Sequence, residues 1–202
     1  MKEQDIIFIL DRSGSMSGIE EDTIGGFNSF IEKHKKTKNT KVTTVLFDDK
    51  YEVLYERKNI SEVKKLTPKE YYVRGCTALM DAIGKTINSL DKKIKNNKVL
   101  FVITTDGLEN ASREYDKKKI KKLIEKHPNW EFIYIGANID SYSEASSIGI
   151  RASHTANYKK SSKGINKLFA SIGKAFDCIS DDEELDLNWK QDLDNYIENN
   201  QV

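Results

Sequence analysis

The sequence predicts an α/β fold: a doubly wound, mostly parallel six-stranded sheet with one antiparallel edge strand and helices on both faces. Short β-rich runs alternate along the chain with segments whose apolar residues recur every three or four positions, the spacing of an amphipathic helix. Two of the runs, IIFIL and VLFVI, contain no polar residue, as expected of central strands buried on both faces. The 202 residues are enough for one ordinary domain with a hydrophobic core.

Five of the strands can be placed from these runs. They are Asp5–Leu10, Val42–Phe47, Tyr51–Tyr55, Val99–Thr105 and Trp130–Ile135. Only residues 48–50 separate the second strand from the third, and a link that short cannot form a parallel crossover. The third strand is therefore predicted to pair antiparallel at an edge of the sheet.

Helical spacing of apolar residues covers four segments between and after these strands. They are Ile24–His34, Ala78–Ile94, Ile120–His127 and Ile165–Ile179. The Gly84-Lys85-Thr86 triplet, which resembles the end of a phosphate-binding loop, lies inside the second of them and is interpreted as ordinary helix.

The last part of the chain differs in charge from the rest. Residues 180–202 hold eight acidic side chains against one lysine, a net charge of −7, so the remainder of this +1 chain carries +8. The apolar residues Trp189, Leu193, Tyr196 and Ile197 follow helical spacing. The sequence therefore predicts a domain over residues 1–179 and an acidic tail over 180–202. Its short amphipathic helix is expected to fold back on the basic body.

Composition restricts the class of protein. The longest apolar runs have five residues, whereas a membrane-spanning helix needs about 20. The acidic N-terminus lacks the features of a signal peptide, and two cysteines do not imply a disulfide framework. These observations favour a cytoplasmic protein that contacts no membrane. The lysine-rich run 117–122 is interpreted as a solvated helix face, and without interleaved aromatic residues it does not favour nucleic-acid binding.

Oxygen-bearing side chains follow two of the predicted buried strands. Asp11, Ser13 and Ser15 stand on alternate positions after the first strand, and Asp106 follows the strand Val99–Thr105. An extended chain from residue 11 to 15 would aim the first three side chains the same way. If the two strands are neighbours, all four residues share one crevice at the carboxyl end of the sheet, where α/β proteins bind ligands.

Two carboxylates and two hydroxyls, without a histidine or cysteine in either segment, form a hard-oxygen donor set. Such a set suits Mg²⁺, with Mn²⁺ or Ca²⁺ as alternatives, and suits zinc or copper poorly. A divalent ion bound mainly by neutral hydroxyls is short of negative charge. We therefore expect it to take a further anionic ligand from outside, such as the Asp or Glu carboxylate of a protein partner.

These segments resemble a known family. Asp11-Arg12-Ser13-Gly14-Ser15 resembles the D-x-S-x-S signature of von Willebrand factor A domains, which begins their metal-ion-dependent adhesion site. Gly75-Cys76-Thr77, before a predicted helix, and Thr105-Asp106-Gly107 resemble the second and third parts of that site. The resemblance covers about residues 4–179, and it departs from the usual pattern mildly at Cys76, where many members have a small residue.

The resemblance implies both a ligand set and a function. It implies that Ser13, Ser15 and Thr77 bind the metal directly, while Asp11 and Asp106 act through bound water or hydrogen bonds. It also implies a non-enzymatic adaptor, and an adaptor subunit of an ATPase complex is an alternative setting. The sequence leaves the oligomeric state open, with a monomer favoured. A second hypothesis is a Mg²⁺-dependent aspartyl phosphotransferase or phosphatase, but that class needs an acid two residues after the nucleophile, where this chain has Ser13. A third is a structural protein with a decayed site, which the complete ligand set opposes.

Overall fold

The computed structural model describes residues 3–137 and 140–199, whose strands form one six-stranded sheet. In chain order the strands are β1 Gln4–Asp11, β2 Thr40–Phe47, β3 Tyr51–Asn59, β4 Lys98–Thr105, β5 Trp130–Gly136 and β6 Thr155–Asn157. The helices are α1 Glu20–His34, α2 Leu79–Leu90, α3 Lys117–Glu125, α4 Ser141–Ser147, α5 Ser162–Ser180 and α6 Gln191–Glu198. None of these helices is long and apolar enough to cross a lipid bilayer.

The strand order is β3-β2-β1-β4-β5-β6, and every neighbouring pair is parallel except β2 with β3. The predicted antiparallel edge strand is therefore confirmed, together with the mostly parallel six-stranded sheet. β1 lies between β2 and β4, so the chain leaves it in one direction through α1 and returns on its other side only at β4. This reversal is the switch point of a doubly wound sheet, where its ligand crevice opens.

The central strands are buried because side chains from both faces pack under helices. On β1, Ile6, Phe8 and Leu10 join the core formed with α1 and α5, while Ile7 and Ile9 join the core formed with α2 and α3. This alternation is the period of two that a strand imposes, with both faces apolar because both are covered. The uninterrupted IIFIL run thus places the end of β1 in the middle of the molecule.

Several elements differ from the sequence expectation. α2 ends at Leu90 rather than at Ile94, because the chain turns at 91–93. The sequence predicts six strands but places only five of them. The sixth is β6, which has three residues, too few to show the alternation of a strand. α4, with the polar sequence SYSEASS, also carries no apolar period.

The last described residues pack on the α1–α5 side of the sheet. A 3-10 turn over Leu187–Trp189 precedes α6, so the helix expected from Trp189 onward is divided into two pieces at Lys190. At the division, the buried Nζ of Lys190 donates hydrogen bonds to the carbonyls of Thr155 and Ala152, at 2.9 and 3.3 Å. Trp189 is fully buried, and its Nε1 donates to the carbonyl of Ser153 at 3.0 Å.

Opposite charges also join this segment to the rest of the chain. Asp192 pairs with Lys174 of α5 at 2.6 Å, and Asp182 pairs with Lys98 of β4 at 2.8 Å. Both acidic partners are well exposed, so these pairs contribute little beside the burial of Trp189 and Leu193. The division of the chain at residue 180 stays a prediction.

Removing the indole should therefore destabilise the whole fold. We expect Trp189→Ala to lower the free energy of unfolding by about 3–5 kcal/mol, the cost of deleting a buried aromatic side chain. The matched control is Leu187→Ala in the same turn, where the side chain is exposed and the loss should stay within about 0.5 kcal/mol. Urea unfolding followed by circular dichroism measures both, and equal small losses would show that the segment does not stabilise the domain.

Candidate metal centre

The segment after β1 brings two serine hydroxyls together by a turn. β1 ends at Asp11, Ser13 is extended with φ −64° and ψ 165°, and Gly14–Met16 form one 3-10 turn. The backbone N–H of Ser13 donates to Asp11 Oδ1 at 2.7 Å, and the two serine Oγ atoms lie 3.0 Å apart. The expectation of an extended chain through Ser15 is therefore wrong, because the turn and not the strand period makes the hydroxyls converge.

Side chains from β1 and β4 meet because the strands are neighbours. Ser15 Oγ donates to Asp106 Oδ1 at 2.6 Å, and Thr105 Oγ1 donates to Asp11 Oδ2 at 2.6 Å. Both oxygens of Asp11 thus accept hydrogen bonds inside the protein, and its side chain is fully buried. Burial raises the pKa of Asp11 to about 6, against the lowering effect of these hydrogen bonds.

Thr77 reaches the same point from the loop before α2. A Cβ atom built on Gly107 would lie 3.0 Å from Ser15 Oγ and 3.2 Å from Thr77 Oγ1, so the two hydroxyls flank this glycine. The Thr77 backbone N–H donates to Asn110 Oδ1 at 2.9 Å, and its carbonyl accepts from the N–H of Asn110 at 3.0 Å. The φ of Gly107 is not positive, so the space that its missing Cβ leaves, rather than its backbone conformation, is what glycine provides here; a Cβ would press on both hydroxyls.

The chemistry of these donors fits a hard divalent cation. Within residues 3–137 and 140–199, no three His, Cys, Asp or Glu side chains are grouped as a metal site, so a cation here would depend on hydroxyls. The structure brings Ser13, Ser15 and Asp106 into direct contact, with Thr77 beside Ser15 and Asp11 behind Ser13. Which of these five oxygen-bearing residues bind the metal directly stays a prediction.

Arg12 supports the site from behind, although its place between Asp11 and Ser13 in the sequence suggests only a spacer. Its guanidinium is fully buried, with Nε 3.0 Å from Asp48 Oδ2 and Nη2 2.7 Å from Glu52 Oε2. Arg74 also contacts Asp48 Oδ2, at 2.7 Å. Although burial opposes ionisation of Asp48, hydrogen bonds and the two guanidinium groups lower its pKa. This network fixes the segment after β1 to the β2–β3 hairpin.

Backbone hydrogen bonds join the same loops. The N–H of Arg12 donates to the carbonyl of Phe47, the N–H of Arg74 to the carbonyl of Arg12, and the N–H of Gly14 to the carbonyl of Gly75. Gly75 has φ +63°, a conformation that glycine adopts without strain. The segments that carry Ser13 and Thr77 therefore hold each other in place.

Lys160 also contacts the site, although no motif in the sequence points to it. Its Nζ lies 3.1 Å from Asp106 Oδ2 and donates to the carbonyl of Ser15. It comes from the link between β6 and α5, 145 residues after Ser15. Separation of that size leaves no local pattern that would associate the two.

Comparisons with known proteins agree with the fold. The sequence profile of the von Willebrand factor type A domain matches residues 5–170. Among curated protein sequences, none matches the chain at a significant level.

Solved structures of low sequence identity share the fold. Proximal thread matrix protein 1 from the mussel byssus, with a zinc-occupied MIDAS motif, matches with a TM-score of 0.62 and 17% identity, over 86% of this chain and 45% of its own. The manganese-loaded TRAP protein of Plasmodium vivax matches with a TM-score of 0.58 and 18% identity, over 83% of this chain and 73% of its own. The vWF domain of the pilus tip protein Mfa5 from Porphyromonas gingivalis matches with a TM-score of 0.64 and 10% identity, over 87% of this chain and 95% of its own. The chain thus spans less than half the length of the mussel protein.

Replacing Arg12 tests whether the buried ion pairs hold the site together. Arg12→Met should lower the free energy of unfolding by about 3–5 kcal/mol, because it leaves Asp48 buried with one of its two cationic partners removed. Arg113→Met removes the same charge from an exposed position and is the control. Chemical unfolding measures both variants, and a loss in Arg12→Met no larger than in the control would contradict a supporting role.

Proposed function

Because the chain belongs to the von Willebrand factor type A domain family, we propose that it is a non-enzymatic, metal-dependent protein-binding module. It captures an Asp or Glu side chain of a protein partner through a divalent cation held at the carboxyl end of the sheet. The observation that carries this proposal is the convergence of the Ser13, Ser15 and Asp106 oxygens, with the Thr77 hydroxyl beside them.

Each residue has a separate part in this proposal. Ser13, Ser15 and Thr77 supply neutral oxygen ligands, and Asp106 holds the Ser15 hydroxyl by accepting a hydrogen bond from it. Asp11 positions the Ser13 backbone by accepting a hydrogen bond from its N–H. The cation, when bound, supplies a Lewis-acidic centre that is not neutralised by its hydroxyl ligands and therefore attracts a carboxylate.

The burial of Asp11 supports a binding module rather than a phosphotransferase. An aspartyl nucleophile must present a free carboxylate oxygen to a phosphoryl group. Here both oxygens accept hydrogen bonds and the side chain is fully buried, while Ser13 stands where a general acid is required. Hydrolysis of a small aryl phosphate that disappears in Asp11→Asn would favour the enzyme hypothesis instead.

Two further parts of the proposal concern the cation and the compartment. Mg²⁺ is the proposed cation, with Mn²⁺ and Ca²⁺ as alternatives, because all donors are hard oxygens. The cytoplasm is the proposed compartment, which is supported by the free thiols of Cys76 and Cys178. The proposed partner is a protein, and the proposed oligomeric state is a monomer. The side chain of Leu108, directly after Gly107, is exposed and could contact apolar atoms of the partner next to its captured carboxylate.

Metal binding should stabilise the folded state, since the site exists only there. At a Mn²⁺ or Mg²⁺ concentration of 100 times Kd, the melting temperature should rise by roughly 5–10 °C. Ser13→Ala and Thr77→Ala should each remove most of this rise, whereas Ser17→Ala, at an exposed position just after the turn, should keep it. Differential scanning fluorimetry with EDTA as reference measures the shift. If the rise survives both ligand substitutions, the cation binds elsewhere.

Partner recognition should require both the cation and an acidic side chain. On an array of peptides with Asp or Glu at one fixed position, Mn²⁺-loaded protein should bind a subset, and the same peptides with Asn or Gln should lose binding. EDTA should abolish the signal, and so should Ser13→Ala. Binding that persists with EDTA, or that ignores the Asp-to-Asn exchange, would contradict capture of a carboxylate by the cation.

A further inference from the structure

Lys160 places a fixed positive charge inside the proposed metal centre. Asp106 divides its two oxygens between the Ser15 hydroxyl at 2.6 Å and the Lys160 ammonium at 3.1 Å. The ammonium also donates to the Ser15 carbonyl, so it contacts two groups of the site at once. The Asp106 side chain is almost fully buried, and this raises the effect of each neighbouring charge above its value in water.

The backbone on both sides of Lys160 is anchored. The N–H of Tyr158 donates to the carbonyl of Gly136 at 2.8 Å. The buried Tyr158 side chain also donates a hydrogen bond from its hydroxyl to Met16 Sδ, in the 3-10 turn after Ser13. Ser161 caps the N-terminus of α5, because its Oγ accepts a hydrogen bond from the N–H of Gly164 at 3.1 Å. The ammonium is therefore delivered to Asp106 from an ordered link and not from a free loop.

The charged side chains that contact Ser13, Ser15 or Asp106 can be counted, together with the ion-pair network behind them. Behind it, Arg12 and Arg74 are balanced by Asp48 and Glu52. At the site itself, Asp11, Asp106 and Lys160 leave one negative charge, and a divalent cation changes this to one positive charge. Without Lys160, the loaded site would be neutral.

Building on the proposed function, we infer that Lys160 determines the balance between metal and partner binding. It repels the divalent cation and so lowers metal affinity. It also leaves the loaded site with the single positive charge that a partner carboxylate neutralises, so it raises affinity for that carboxylate. Lys160 thus acts as a specificity-determining residue for anionic ligands rather than as a metal ligand.

The test compares Lys160→Met with two matched variants. Lys160→Arg keeps the charge, and Lys118→Met removes one charge from an exposed position on α3. Calorimetric titration with MnCl₂ should show about tenfold tighter binding in Lys160→Met, because one like charge close to the cation is gone. Lys160→Arg and Lys118→Met should stay within about twofold of the wild type.

The second measurement uses acetate as the carboxylate. With each protein saturated by Mn²⁺, paramagnetic broadening of the acetate methyl proton signal reports binding, and Lys160→Met should bind about tenfold more weakly. Unchanged or weakened metal binding in Lys160→Met would overturn the inference, as would unchanged acetate binding, or a Lys160→Arg variant that behaves like Lys160→Met. Failure of the proposed function is seen separately, as a wild-type protein that does not bind Mn²⁺ at all.

Discussion

The hydrogen bond from Thr105 to Asp11 is the contact on which the rest of the site depends. It joins the carboxyl ends of the two central strands, β4 and β1, at the switch point of the sheet. With one oxygen of Asp11 held by Thr105, its other oxygen accepts a hydrogen bond from the Ser13 N–H. The turn that follows brings the Ser13 hydroxyl to the Ser15 hydroxyl, and the Ser15 hydroxyl to Asp106. The strand order therefore positions the site, and each donor is then fixed by a short local contact.

This arrangement concentrates charge in a place that water barely reaches. Asp11, Arg12, Asp48 and Asp106 are all buried, and each has an ionic or hydrogen-bonding partner within about 3 Å. A buried charge without such a partner would destabilise the fold by several kcal/mol. Asp48 is stabilised after β2 by its two guanidinium partners, and Asp11 after β1 by hydrogen bonds from Thr105 and Ser13. The Asp48 network also keeps the loops of the site fixed to one another.

Much of this was predictable from the sequence, and the part that was not has physical reasons. The uninterrupted IIFIL and VLFVI runs predict central parallel strands, and the three-residue link at 48–50 predicts the antiparallel edge; both are confirmed. The sequence predicts that Asp11 and Asp106 share one crevice if their strands are neighbours, and the pairing of β1 with β4 meets that condition. α4 and β6 escaped prediction because seven polar residues and three strand residues carry no period.

Long-range electrostatic partners escaped prediction for a different reason. Arg12 is a charged residue of a kind normally found at the surface, and only the tertiary fold shows that Asp48 and Glu52 bury it. Lys160 is one of many lysines in a lysine-rich chain, and nothing near it in sequence marks it as the one that meets Asp106. The apolar spacing predicts the tail helix, but no local pattern reveals its division at Lys190 or the carbonyls of residues 152 and 155 that accept hydrogen bonds from Lys190.

Anomalous X-ray scattering from crystals of the protein grown with Mn²⁺ tests the central claim most directly. The account predicts one strong anomalous peak at the carboxyl end of β1 and β4, in contact with the hydroxyl oxygens of Ser13, Ser15 and Thr77. It also predicts that Asp11 remains hydrogen-bonded to Thr105 and does not touch the ion. A peak bound by surface carboxylates elsewhere, or no peak at saturating Mn²⁺, would contradict the account.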